Sequence, residues 1–249
     1  MAQHAKPGST PDDAWLPPAP DVSHLITEDG KPVDSFLSEK QMRLLTATLY
    51  ESWTPPEGRR FLAAMNVGVF AVARNPAIVP DVFLSLDVDP PALTGPDRLR
   101  SYFIWEFGKP PDIAIEIVSD TEGDELSAKL RDYERMRVAH YVVFDPLKKL
   151  SKQELSAFAL DGVTYVMHPA ARFEKIGLGL VVWEGELEGI RERWLRWTDL
   201  EGNLIPTGAE RAETEKQRAE TEKQRAETEK QRADQLAAKL RALGVDPDA

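Results

Sequence analysis

Carboxylates set inside strand-like runs are the residues most able to do chemistry in this chain. In Asp112-Ile-Ala-Ile-Glu116-Ile-Val118, alternation places Ile113, Ile115 and Ile117 on one face and Asp112, Ala114, Glu116 and Val118 on the other. Glu116 therefore sits mid-strand between small or apolar neighbours. An unpaired buried carboxylate is costly, so it needs a metal, a cation or water beside it, unless the second face of the strand is simply solvated. Asp81 follows Pro80 at the start of another apolar run, 82–86, which taken alone is an ordinary strand entry. Lys129 follows Leu126 by three and precedes Tyr133 by four on a helix-like stretch. That spacing sets it at the edge of the apolar stripe, where it can snorkel to water or point back at the sheet. In the second arrangement an Asp, a Glu and a Lys converge on one sheet face. Such a set can hold Mg2+ through oxygen ligands and place a positive charge beside a phosphodiester.

These residues depend on the elements that carry them. Ser38 and Gln41 have capping-box spacing, and Met42, Leu45, Leu49 and Trp53 then share one face of a first helix over 38–53. Strand-like runs follow at 61–65, 67–72, 82–86, 102–105, 113–118 and 141–144. Between the last two, 125–138 reads as a helix without Pro or Gly. Runs at 155–160 and 163–168 flank Asp161-Gly162, a strong hairpin signal. Asp145-Pro146 reads as a strand end, and Ile190, Trp194 and Trp197 as one core-packing face. The pattern predicts an α/β or α+β domain at 35–207, a mixed sheet flanked by helices. The Pro-rich stretch 87–111 reads as a loop over the site.

The 249 residues include 42 acidic and 31 basic side chains, for a net charge of −11. A sequence-independent nucleic-acid coat protein needs the opposite surplus. Residues 1–34 hold two basic against six acidic side chains and many prolines, which reads as a disordered acidic arm. From 208 to 249 nine basic residues face ten acidic ones, leaving −6 on the central domain. That tail repeats Ala-Glu-Thr-Glu-Lys-Gln-Arg at 212–218, 219–225 and 226–232. Its heptad register puts Ala and Glu at the seam positions, with conventional knobs at Leu236, Leu240 and Leu243. It reads as a charged, solvated helix: either a non-catalytic spacer or a weak homo-oligomerisation element through 212–243.

The absence of cysteine excludes disulfides, thiolate metal sites and cysteine nucleophiles. His4, His24, His140 and His168 lack paired ligand spacing, and no glycine pattern matches a phosphate loop. No run approaches the length of a membrane span, and no basic stretch precedes an apolar run at the amino terminus, so a cytoplasmic location and no membrane partner are expected.

The sequence resembles the Uma-two family, restriction-endonuclease-like domains within the PD-(D/E)xK nuclease superfamily. The resemblance rests on Val-Pro-Asp81-Val-Phe, Pro-Pro-Asp112-Ile-Ala-Ile-Glu116-Ile-Val-Ser119, Gly123-Asp-Glu125 with Lys129 and Tyr133, and Ala-His-Tyr141-Val-Val-Phe-Asp145-Pro146. It extends to Gly177-Leu-Gly179-Leu and to 194–202. It implies a restriction-endonuclease-like sheet flanked by helices, and a metal-dependent endonuclease acting on DNA. Asp81 and Glu116 would ligate Mg2+ or Mn2+, with a backbone carbonyl near Ile117, and Lys129, in a Glu125-x3-Lys129 pattern, would serve as the catalytic lysine. Val118 stands where the superfamily's simplest pattern has a strand lysine. Glu39 or Glu51 on the first helix could add a carboxylate. Arg131, Arg135 and Arg137 could meet a nucleic-acid backbone or form a solvated helix face. The competing reading is a catalytically idle nuclease fold acting as a binding or assembly module through its helical tail. Two carboxylates alone would also suit a glycosidase, but the lysine and the family context favour phosphodiester chemistry.

Overall fold

The computed structural model describes residues 35–72, 77–95, 99–118 and 125–243; the acidic arm, 1–34, lies outside them. A six-stranded mixed sheet is built from β1 (Phe61–Met65), β3 (Val82–Leu86), β5 (Ile113–Ile117), β6 (His140–Phe144), β7 (Leu155–Asp161) and β8 (Thr164–His168), in the order β1-β3-β5-β6-β7-β8. Only β5 and β6 are parallel. A parallel pair needs a crossover, and α3 (Ala128–Met136) supplies it. A three-stranded sheet, β11 (Ile190–Thr198), β10 (Leu178–Leu187) and β9 (Arg172–Phe173), and a parallel pair, β2 (Val69–Phe70) with β4 (Tyr102–Phe103), complete the strands.

The two faces of the large sheet bury separate cores. Ile113, Ile115 and Ile117 join Val82, Leu84 and Val142 against Met42, Leu45 and Leu49 of α1 (Phe36–Ser52) and against Leu178, Leu195 and Trp197 of the smaller sheet. On the other face Phe83, Ala114, Val118, Tyr141 and Val143 pack with Tyr133 and Met136 of α3 and with Val69 and Tyr102. The alternation expected across 112–118 is thus observed, with every residue of β5 buried. Asp112 anchors the start of this strand: its Oδ2 accepts from Leu86 N at 2.7 Å and pairs with Lys109.

Several local expectations are corrected. Helix α1 starts two residues earlier, because Ser35 is the N-cap, its hydroxyl accepting from Ser38 N at 3.1 Å. Gln41 caps nothing; it is buried, and its amide donates to Leu195 O and accepts from Leu195 N, both at 2.8 Å, completing the free edge of β11. The 67–72 run narrows to β2, and 102–105 splits into β4 and a single helical turn, α2 (Ile104–Phe107). The stretch 87–111, expected as a loop, therefore contributes a strand and a helical turn. Trp194 and Trp197 lie on opposite faces of β11, with only Trp197 in the α1-side core. The β10–β11 hairpin closes through Glu188 and Gly189, both at positive φ (52° and 77°), as a twisted two-residue turn requires. Lys40 and Arg43 of α1 hold the Glu188 carboxylate, and Arg43 foremost keeps its pKa down to about 2.

After the domain, α4 (Gly208–Ala242) runs for 35 residues. Its start is a capping box: Glu210 N donates to Thr207 Oγ1 at 3.2 Å, and Thr207 N donates to Glu210 Oε2 at 2.7 Å. Buried Arg196 grips the same Glu210 through two bonds of 2.8 and 2.6 Å, and Glu51 Oε2 accepts from Gly208 N at 2.7 Å. Beyond this anchor the described side chains are almost all exposed, Leu236 and Leu243 among them. No helix among the described residues is long and apolar enough to cross a membrane.

Candidate active site

Three of the residues singled out by type and spacing converge. In the antiparallel register Val82 opposes Ile115, so Asp81 stands across from Glu116 despite the 35 positions between them in the chain. Asp81 Oδ2 accepts from Ile117 N at 2.6 Å, which fixes the aspartate against β5. Glu116 is 1% exposed, on the face of Ala114 and Val118. Lys129 turns inward from the first turn of α3, and its Nζ donates to Glu116 Oε2 at 2.9 Å and to Glu125 Oε1 at 3.2 Å. A lysine there runs against the helix dipole, a cost its two carboxylates offset. One turn on, Tyr133 donates its hydroxyl to Glu116 Oε1 at 2.7 Å.

A second tyrosine supports the first. The rings of Tyr133 and Tyr141 lie 4.8 Å apart, and Tyr141 donates to the Glu125 carbonyl at 2.9 Å, tying the approach to α3 to β6. Tyr133 and Tyr141 were not among the expected site residues. The signal for Tyr133 was present in its spacing of four from Lys129, which places both on one helical face.

The charges do not balance. Asp81, Glu116 and Glu125 surround one ammonium, and Glu116 responds: burial, with Asp81 adding repulsion, raises its pKa to about 7 against the pull of Lys129 and Tyr133. Burial alone would lower the Lys129 pKa, but Glu116, Glu125 and Asp81 together raise it, so it remains a cation. Burial beside Glu116 pushes the Tyr133 hydroxyl well above its usual range, leaving it a donor. Glu125 Oε2 is buried with no hydrogen-bond partner among the described residues. The Lys129 side chain is 34% exposed, so the cluster is not sealed from solvent.

This donor set suits a hard divalent cation: it is all oxygen, carries a surplus of negative charge, and includes an unsatisfied buried carboxylate oxygen. Among the described residues no group of three or more His, Asp or Glu side chains is placed to hold a metal ion, so side chains alone supply at most two ligands here. Asp81 and Glu116 are the two carboxylates that the β3–β5 register sets across from one another at this point.

The first-helix carboxylates lie elsewhere. Glu39 pairs with Arg43 at 2.9 Å and Glu51 caps α4, both on the helix that covers the isoleucine face, across the sheet from Glu116. Arg135 pairs with Asp132 at 3.0 Å and Arg137 donates to Gly162 O at 3.1 Å, while Arg131 is exposed; the three line a shallow outer cleft with Glu134 and Val163. Asp145 is a loop cap, accepting from Lys149 N and Leu150 N at 2.9 and 2.7 Å. His140 packs on Phe173 at 4.8 Å, and burial lowers its pKa to about 4.

A family model described as "Uma2: Putative restriction endonuclease" matches residues 26–181. The chain belongs to the Uma2 (Uma-two) family. The match contains Asp81, Glu116, Glu125, Lys129 and Tyr133 and ends within β10, so the shared Uma2 portion includes the whole six-stranded sheet and α3 while α4 lies outside it. The mixed sheet with its flanking helices is a restriction-endonuclease-like α+β fold. No curated protein matches the sequence.

Proposed function

We propose that this Uma2 protein is a metal-dependent endonuclease that hydrolyses DNA phosphodiester bonds. The observation that carries the reading is the convergence of Asp81, Glu116 and Lys129 at one partly open point of the sheet, with more negative charge than Lys129 neutralises. Asp81 and Glu116, with main-chain oxygen near Ile117, would hold Mg2+ or Mn2+. When bound, such an ion supplies Lewis-acid charge neutralisation at the phosphoryl oxygens and makes water a stronger acid.

The chain's own groups do the rest. Lys129, pinned by two carboxylates, presents a fixed positive charge beside the scissile phosphate and orients the attacking water. Tyr133 holds the Glu116 carboxylate in one rotamer, so that its second oxygen stays aimed at Lys129. With Val118 at the simplest strand position, Lys129 on the helix would take the lysine's role, a reading supported by its contact with Glu116. Supercoiled plasmid and single-stranded circular DNA in Mg2+ or Mn2+ test the reading: the wild type should cut at least one of them, and Asp81→Ala and Glu116→Ala should cut neither. Equal residual cutting by all three would reject it.

One observation favours a further role in assembly. Helix α4 is firmly anchored at Thr207 and Glu210, yet exposes nearly all its described side chains, including Leu236 and Leu243. A helix with no packed face draws little stability from its own domain. It would serve as a homo-oligomerisation arm, and light scattering before and after truncation at Thr207 tests this: the same number of subunits per particle in both forms would reject it.

A further inference from the structure

Phe70, Phe103 and Trp105 form a continuous aromatic row. Ring centroids of Phe70 and Phe103 are 5.2 Å apart, and those of Phe103 and Trp105 are 5.0 Å apart. The row occupies the outward side of the β2–β4 pair and the turn after it. The inward residues, Val69 and Tyr102, are buried in the core on the Glu116 face. Its mount is rigid: Tyr102 contacts Ser85 Oγ at 2.9 Å, donates to Lys109 O at 2.9 Å and stacks on Phe107 at 4.2 Å. Phe70 and Phe103 are half-buried, whereas Trp105 is 47% exposed.

The row is continuous with the candidate active site through the main chain. The β1–β3 ladder passes from Met65 opposite Val82 to Asn66 N on Asp81 O (3.2 Å), then to the reciprocal bonds of Val69 with Ile78 (2.7 and 3.0 Å). Ile78 is three residues from Asp81, at most about 10 Å of extended chain. The mount also crosses over β3 on the Glu116 side, since Tyr102 meets Ser85 and Phe83 there.

Charge decides what such a surface can hold. With a net charge of −11, and −6 within 35–207, the protein lacks the basic surplus that binds a duplex through its phosphates. The same deficit weakens phosphate contacts to a single strand, but aromatic stacking adds a contribution that tolerates any base and that requires a base not already stacked in a duplex. We infer that Phe70, Phe103 and Trp105 are a stacking platform for unpaired bases of single-stranded DNA, leading that strand to the carboxylates at Asp81 and Glu116. This rests on the nuclease reading and specifies its substrate.

Binding is measured without catalysis, by fluorescence anisotropy of a labelled single-stranded oligonucleotide and of its duplex, both in EDTA. The platform requires the single strand to bind at least ~10-fold tighter than the duplex. Trp105→Ala and Phe103→Ala should each weaken single-strand binding by roughly 5- to 100-fold, the range of one lost base stack, while Trp105→Phe should retain most of it. Met167→Ala, which trims an exposed apolar side chain on β8, should leave it unchanged. Equal or tighter duplex binding, no binding of either, or a Trp105→Ala protein that binds like the wild type would overturn the inference. Hydrolysis of methyl p-nitrophenyl phosphate by the wild type and by Trp105→Ala in Mn2+ tests the nuclease reading separately, since that substrate has no strand to lead: equal rates are expected from both, and no hydrolysis by the wild type would count against the nuclease reading and not against the platform.

Discussion

Lys129 Nζ donates to Glu116 Oε2 at 2.9 Å, joining the first turn of α3 to the middle of β5. Around this contact stand the second carboxylate on the lysine, Glu125, and the tyrosine one turn on that donates to the other oxygen of Glu116.

Removing the lysine leaves Glu116 without its cation. Breaking a fully buried pair costs about 3–5 kcal/mol, but Lys129 is about a third exposed and Glu116 can take up a proton. Lys129→Met should therefore cost roughly 1–3 kcal/mol at pH 8, and less at pH 5.5, where Glu116 is neutral. Urea denaturation at the two pH values checks the difference.

Glu116 also gives the fold a pH dependence of definite sign. Its folded pKa, raised to about 7 by burial, lies above the unfolded value. Between roughly pH 4.3 and 7 the folded state holds the extra proton, so this group's contribution weakens stability as pH rises through that window. Glu116→Gln should flatten the stability profile there and match or exceed wild-type stability at pH 8. In the wild type, Mn2+ affinity followed by calorimetry should fall about tenfold per pH unit below 7, since the cation and the proton compete for one carboxylate.

Tyr133→Phe deletes one hydroxyl from a buried carboxylate. The expected loss is about 1–3 kcal/mol, measured by thermal or chemical unfolding, with little change in secondary structure by circular dichroism.

Gln41 gives a prediction distant from the chemistry. Gln41→Leu preserves bulk but strands the N–H and C=O of Leu195 at a buried sheet edge, which should cost roughly 2–4 kcal/mol. Amide exchange at Leu195 should accelerate accordingly.

What the sequence discloses depends on whether its periodicity is ambiguous. The period-two pattern of 112–118 admits one arrangement once a sheet is present, and it placed Glu116 correctly. Lys129 was undecided because a residue at the edge of a helical stripe has two rotamer directions, and only the position of Glu116 beneath it selects one. Trp194 and Trp197, three apart, imitate a helix face; the strand appears only once Glu188 is seen to accept positive φ under the hold of Lys40 and Arg43. Gln41 looked like a cap because capping spacing says nothing of a strand 154 residues away. Glu39 and Glu51 were plausible by residue type alone, and which face of the sheet α1 covers is a tertiary fact.

The most direct measurement is the single-turnover rate of DNA cleavage in Mn2+ by wild type, Asp81→Asn, Glu116→Gln and Lys129→Met, purified in parallel and shown to be folded. The account predicts metal-dependent cleavage by the wild type, abolished by EDTA, and at least ~100-fold slower in each variant, since each removes a group acting on the phosphate or on the cation. Wild-type cleavage that persists undiminished in all three variants, or a folded wild type that cleaves neither single-stranded nor duplex DNA in Mg2+ or Mn2+, would contradict it.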